Sequence, residues 1–295
     1  MKGKLLALGL LLTLVSAVRG ELTVGSLHPL MTDLVRQVGG DKVKVVEVGR
    51  PGFSVHTFSP KQEDLRALGR CHLVVASGKN IETYLGDLSD ALDRVPILEV
   101  GRTIPSRILS AKDSLYVCCP HHAKGTIDPH WWHDVDNMER AAKVVAKALA
   151  ERDPANAAHY KARGDALAKR YDQLDRWVKA EVARIPRKQR KLVTAHAAFG
   201  YFCAAYKFEA VFVKGLGADH EIPAKTLAEE VAKLRKEKIR AVFPERYLNP
   251  KVLQQIARET GAKVGNPLVA DGSVASYEKM IRGNVQSIVS ALAGS

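Results

Sequence analysis

Two α/β lobes, each with a central parallel-type sheet flanked by helices and joined by one long backbone helix, are what this sequence predicts. Three observations carry the prediction. Short β-branched runs alternate with helix-like stretches from residue 21 onward, the same alternation returns after residue 190, and an apolar stripe of helical period fills part of the interval. The length agrees: 295 residues lies where single cores stop growing, at roughly 250–300 residues, and chains divide into domains. The expected organisation is a signal peptide over 1–20, a first lobe over 21–153, a linker helix over 154–185 and a second lobe over 186–295.

Taken in order, residues 1–20 place Lys2 and Lys4 before an apolar run from Leu5 to Leu12 that extends to Val18, with small residues near its end. This is the pattern of a cleaved secretory signal, and cuts after Ala17 or after Gly20 both fit. The run is shorter than the ~20 residues a membrane span needs. No cysteine follows it to accept a lipid, so the expected location is free in a periplasm-like space. LTVGSL, VKVVEV, HLVVASG and PILEV then read as strands, with helices near Pro29 to Val38, Pro60 to Leu68 and Glu82 to Leu92. Strands alternating with helices imply βαβ units and a parallel sheet.

Asp153 and Pro154 predict a helix start, a capping residue followed by proline at the first helical position. Tyr160, Leu167, Tyr171, Leu174, Val178, Val182 and Ile185 continue one apolar face until Pro186. At 1.5 Å per residue a helix over 154–185 would span ~48 Å, enough to run behind both lobes. Gly164 is its weak point. After it, KLVTAH, FEAVFV, IRAVFPE and GAKVG repeat the strand signal between helices near Ala224 to Glu237 and Pro250 to Thr260. A last helix is expected near Ser276 to Leu292.

The formal charge of +13 falls by three if Lys2, Lys4 and Arg19 leave with the signal. The product stays basic, but its lysines and arginines are spread along amphipathic segments. The densest cluster, Arg187 to Lys191, lacks the interleaved aromatics of a nucleic-acid platform, so no nucleic-acid partner is expected. Four cysteines, Cys71, Cys118, Cys119 and Cys203, would travel to an oxidising compartment where disulfides persist. Three pairings exist and the sequence does not rank them. Neighbouring Cys118 and Cys119 are poorly placed to bridge, because adjacent Cα atoms lie closer than the ~4.4 Å a disulfide needs.

Four short segments place metal-capable side chains beside rigid neighbours: His56 in HTFSP, His130 in DPHWWHD, His196 in TAHAAFGYF and Asp271 in VADGS. Three imidazoles and one carboxylate suit a borderline-soft divalent ion, Zn2+ first. His196 directly follows a predicted strand, where open parallel sheets gather their ligands. Around His130, the tryptophans can exclude water, and Asp128 and Asp134 can orient an imidazole. His133 could share a helical face with His130 and compete for the ion. Glu245, ending IRAVFPE, is the rival to Asp271 as fourth ligand.

These words resemble those of the metal-specific solute-binding proteins of ABC importers, the zinc and manganese group. HTFSPKQEDL, DPHWWHD and HAAFGYF are similar to its three histidine motifs. GADHEIPAKTLAEEVAKL, RAVFPERYLNPKVLQQIARETGAKV and SYEKMIRGNVQSIVSAL follow its order, so the match runs from about Leu22 to Leu292. The resemblance implies His56, His130, His196 and Asp271 as ligands, two from each lobe. Its manganese-type members carry glutamate at the third histidine, so His196 argues for zinc. The chain departs from the pattern in a short VADGSVASY loop, in His133 where leucine is usual, in His28 of SLHPL, and in having only CCPHHAKG where zinc-type members carry a long His-rich loop. Cys118, Cys119, His121 and His122 could pass zinc toward His130, or be a disulfide with ordinary loop histidines.

The expected function is therefore high-affinity extracytoplasmic binding of zinc, as a monomer, and delivery to an inner-membrane ABC permease with a cytosolic ATPase. It is not expected to be an enzyme. The alternatives are a periplasmic zinc metallochaperone, a manganese-binding importer component, and a zinc hydrolase. Against the last, there is no HExxH word and a carboxylate would fill the position that activates water.

Overall fold

The computed structural model describes residues 21–52, 54–109, 127–213 and 223–293. The first sheet is parallel, in the order β2-β1-β3-β4. Its strands are β1 (Leu22–Ser26), β2 (Val43–Glu47), β3 (Leu73–Ala76) and β4 (Ile97–Glu99). The connecting helices are α1 (Pro29–Gly39), α2 (Gln62–Leu68) and α3 (Leu85–Leu92). β1 pairs in register with β2 from Leu22 against Val43 to Ser26 against Glu47, and on its other side with β3. Both faces of β3 are buried, which is why its sequence is a continuous apolar run instead of an alternation.

Beyond the first sheet, α4 (Val135–Arg152) and α5 (Ala157–Ala183) lie side by side. Gly164 permits their contact: a Cβ there would sit 2.5 Å from the Ala146 Cβ. The weak point of the helix is thus the place where another helix comes closest. α5 is shorter than the expected 154–185, because Pro154–Asn156 form a 3-10 turn ahead of it. Asp153 does not cap α5. Its carboxylate accepts from the Tyr160 hydroxyl (2.8 Å) and the Asn156 amide (2.7 Å) instead, so the acid that reads as a helix start ties two turns together.

The second lobe contains β5 (Lys191–Thr194), α6 (Gly200–Tyr206), β6 (Glu209–Phe212), α7 (Ala224–Lys236), β7 (Ala241–Val242), α8 (Lys251–Thr260), β8 (Lys263–Val264) and α9 (Tyr277–Leu292). β5 pairs with β6 and β7 with β8, all parallel. A bridge from Thr194 to Phe243, with Phe243 N donating to the Val193 carbonyl (2.9 Å), joins the two pairs into the order β6-β5-β7-β8.

The largest core cluster is continuous between the lobes, drawing on α1, α4, α5, α6 and α9 around the fully buried Trp131 and Trp132. The second sheet has its own cluster beneath α7 and α8. Direct ties also cross between the lobes: the Tyr201 hydroxyl accepts from Arg107 N (2.8 Å), and the Tyr277 hydroxyl donates to the Trp132 carbonyl (2.8 Å). Among the described residues no helix is long and apolar enough to cross a membrane. The expected signal over 1–20 and the Cys118, Cys119, His121 and His122 segment lie outside the described residues. Cys71 is buried, with its thiol pushed up to about 11 by burial; Cys203 is buried on α6.

Candidate metal centre

His56, His130, His196 and Asp271 meet in one cluster between the lobes, with one ligand atom from each all lying within 4.8 Å of one another. Each follows the carboxyl end of a strand or precedes a helix. His56 lies in the turn after β2, where Gly52 takes a positive φ of 92° that a side chain would resist, and where buried Val55 anchors the segment in the main core. His130 opens the 3-10 turn Trp131–His133. His196 stands two residues past β5. Asp271 lies in the loop between β8 and α9, next to Gly272 at φ 65°.

A single oxygen organises the cluster. Asp271 Oδ1 is 3.3 Å from His56 Nε2, 3.4 Å from His196 Nε2 and 3.8 Å from His130 Nε2. His130 Nε2 and His56 Nε2 are 3.3 Å apart. An ion with ligands at 2.0–2.1 Å in tetrahedral array sets neighbouring donors at roughly 3.3 Å, and these distances fall at or slightly above that value. His196 Nε2 is buried with no well-aligned hydrogen bond among the described residues, which is the state of a donor atom reserved for something else.

Two of the imidazoles are oriented by buried carboxylates. Asp128 Oδ1 accepts from His130 N (3.0 Å) and from Nδ1–H (2.9 Å), so the lone pair is on Nε2, facing the cluster. The other oxygen of Asp128 meets the Arg107 guanidinium at 3.3 Å. Glu245, which follows β7, accepts at Oε1 from the backbone N–H groups of Ala195 (2.9 Å) and His196 (3.0 Å). Its Oε2 is 2.5 Å from His196 Nδ1. Glu245 therefore stands behind His196, on the side away from Asp271.

Electrostatics follow from this layout. Burial alone would pull His196 down, but the charges of Glu245 and Asp271 outweigh it and hold the imidazole well above its ordinary value. Burial would likewise raise Asp271, yet the surrounding His56 and His196 hold its carboxyl well below the usual range. The cluster is thus a pocket for positive charge.

Two further histidines singled out in the sequence, His133 and His28, do not join it. His133 Nε2 donates to the Ala270 carbonyl at 2.7 Å. His28 caps α1, its Nδ1 accepting from Leu30 N at 3.2 Å. Both are buried, and burial first of all brings each to about 3, so they are neutral. Of the two acids flanking His130, Asp128 orients it, while Asp134 caps α4 by accepting from Asp136 N (3.1 Å). The orienting role of Glu245 was missed in the sequence, where its place after a strand made it a rival ligand.

Fold and cluster together define a two-lobed α/β protein with a site built for a metal ion. The family model described as zinc-uptake complex component A, periplasmic, matches residues 26–291, and the chain belongs to that family. The family comprises metal-binding components of ABC importers, not enzymes. Relatives include the iron-binding protein YfeA of Yersinia pestis, 28% identical over 265 residues, covering 88% of this chain and 82% of that one. The manganese-binding lipoprotein MntA of Bacillus subtilis is 28% identical over 283 residues, covering 92% and 90%. The solved structure of the periplasmic zinc-binding protein TroA of Treponema pallidum is 26% identical, with a TM-score of 0.80 over 93% of this chain and all of the other.

Proposed function

We propose that this chain captures zinc outside the cytoplasmic membrane and delivers it to the permease of an ABC importer driven by a cytosolic ATPase, with His56, His130, His196 and Asp271 as the ligands. The observation behind this reading is the spacing of three Nε2 atoms around one carboxylate oxygen, which suits tetrahedral coordination by nitrogen-rich donors. Relatives are named for iron, manganese and zinc. The choice of zinc rests on donor chemistry, because imidazole suits zinc while manganese favours oxygen. In this reading Asp128 and Glu245 orient their histidines and do not bind the ion.

The mature protein acts as a monomer, free in the periplasm after loss of residues 1–20 or of a segment ending at Ala17. Its lobes over 21–153 and 186–295 share the helical spacer 154–185. A melting series on chelator-stripped protein tests the assignment. Zinc at 1,000-fold above its dissociation constant should add ~4 kcal/mol of stability, and His196→Ala should remove most of the rise. No rise on adding zinc would sink the reading. An equal rise with manganese, at matched excess and without competition by zinc, would move it to manganese.

A further inference from the structure

The turn that carries Asp271 is held on both sides. The Ala270 carbonyl accepts two buried hydrogen bonds, from Trp132 Nε1 (3.0 Å) and His133 Nε2 (2.7 Å). Gly272 lies flat against the corner between β1 and α1: a Cβ there would be 2.6 Å from Leu30 Cδ1 and 3.0 Å from His28 Cε1. The backbone of Val269 exchanges two bonds with the Asn284 amide, each 2.9 Å. Of these clamps, the pair on Ala270 acts most directly on the acid. The Ala270 carbonyl and the Asp271 N–H share one rigid peptide plane that ends at the Asp271 Cα, so fixing the carbonyl fixes the point from which the Asp271 side chain departs.

His133 is otherwise a poor choice for its position. A carbonyl can only accept, so Nε2 carries the proton and Nδ1 is a bare lone pair. That Nδ1 is buried with no hydrogen-bond partner among the described residues, and the ring lies tilted against Phe199 at 4.4 Å between centroids. An apolar side chain would fill the same space and leave no orphan acceptor. What histidine adds is the bond across to Ala270.

We propose that His133, together with Trp132, is a positioning residue for Asp271: it latches the carbonyl one residue before the acid and so sets how tightly the pocket grips its ion. This rests on the reading of Asp271 as a ligand. Outer partners of metal ligands typically change affinity ~10–100-fold when removed. The latch acts on only one of four ligands and has Trp132 as a second donor, so a loss of ~10-fold is expected here.

Zinc affinity by chelator competition, with the metal-free melting temperature alongside, decides it for His133→Leu, His133→Gln, Trp132→Phe, Asp271→Ala and the His133→Leu/Asp271→Ala double variant. His133→Leu should bind ~10-fold more weakly with no fall in metal-free melting temperature, since it removes an orphan acceptor as well as a donor. His133→Gln, whose amide can still donate, should regain most of the affinity. Trp132→Phe, the second route should His133→Leu not fold, should also weaken binding. On the Asp271→Ala background His133→Leu should cost nothing further. Wild-type affinity in both His133→Leu and Trp132→Phe, or an equal loss with and without Asp271, overturns the latch while leaving the ligand assignment standing. Wild-type affinity in Asp271→Ala overturns both.

Discussion

His130 and His196 are mirror solutions to one problem, and their difference is instructive. Each turns Nε2 toward the cluster because a buried carboxylate stands behind Nδ1. Behind His130 the acid is two residues away in the chain, and its second oxygen meets Arg107. Behind His196 the acid comes from another strand, and its charge is answered by two backbone N–H groups and the imidazole itself. A cationic neighbour draws off part of the field that Asp128 exerts on His130. At His196 burial is outweighed by the charges of Glu245 and Asp271, which together hold the imidazole well above its ordinary value.

The largest expected effect comes from removing Glu245. Glu245→Ala strips the partners from two buried N–H groups and a buried imidazole, and should destabilise the metal-free protein by ~3–5 kcal/mol in denaturant melts. Glu245→Gln, which can keep the two N–H bonds, should fold but bind zinc ~10–100-fold more weakly. Asp128→Asn should cost less, within ~10-fold, because Arg107 already dilutes the acid's hold on its histidine. If Asp128→Asn proves the more damaging by chelator competition, the ranking of the two imidazoles is wrong.

Acidity probes the same asymmetry. Zinc must displace the proton that His196 holds, so affinity should fall by ~10-fold per pH unit below the raised value of that imidazole. The fall should begin above the ordinary value of 6.5. In Glu245→Gln its onset should move to lower pH. The sign for metal-free stability follows from linkage: a histidine raised on folding contributes stability fully present below 6.5 and lost as pH rises through its folded value. A wild-type affinity profile that stays flat down to 6.5 would remove the distinction. The smallest effect is expected from Arg107→Met. It frees Asp128 to act on His130 and should change affinity by less than ~3-fold. Any change beyond that would mean Arg107 does more than share the acid.

Much of this site was legible in the sequence because strand ends are legible. LVTAH places His196, IRAVFPE places Glu245, and the glycine in ADG marks the turn holding Asp271. The roles of the acids were not legible. Glu245 and His196 lie 49 residues apart, and only the pairing of β5 with the strand leading to Glu245 brings them together, a register that local pattern does not encode. Asp153 misled for a different reason: its carboxylate accepts from Tyr160, seven residues further on, in place of the first-turn cap that proline seemed to announce. α4 is not singled out by the sequence, where its lysines and arginines mark only an amphipathic segment, and its apolar side is closed by α5. Gly164 looked like a flaw in one helix because its reason lies on another.

The stitching between the two halves has a consequence for recognition. Tyr201 holds the strap before Arg107, Tyr277 holds the tryptophan turn, and α5 braces the rear, so only small lobe movements are expected on filling the pocket, and a large compaction in a scattering comparison of metal-free and metal-loaded protein would overturn that. A receptor that must distinguish a loaded molecule from an empty one then cannot rely on a jaw snapping shut. On that expectation it would read the mouth of the crevice, where a divalent cation replacing a proton alters the local potential.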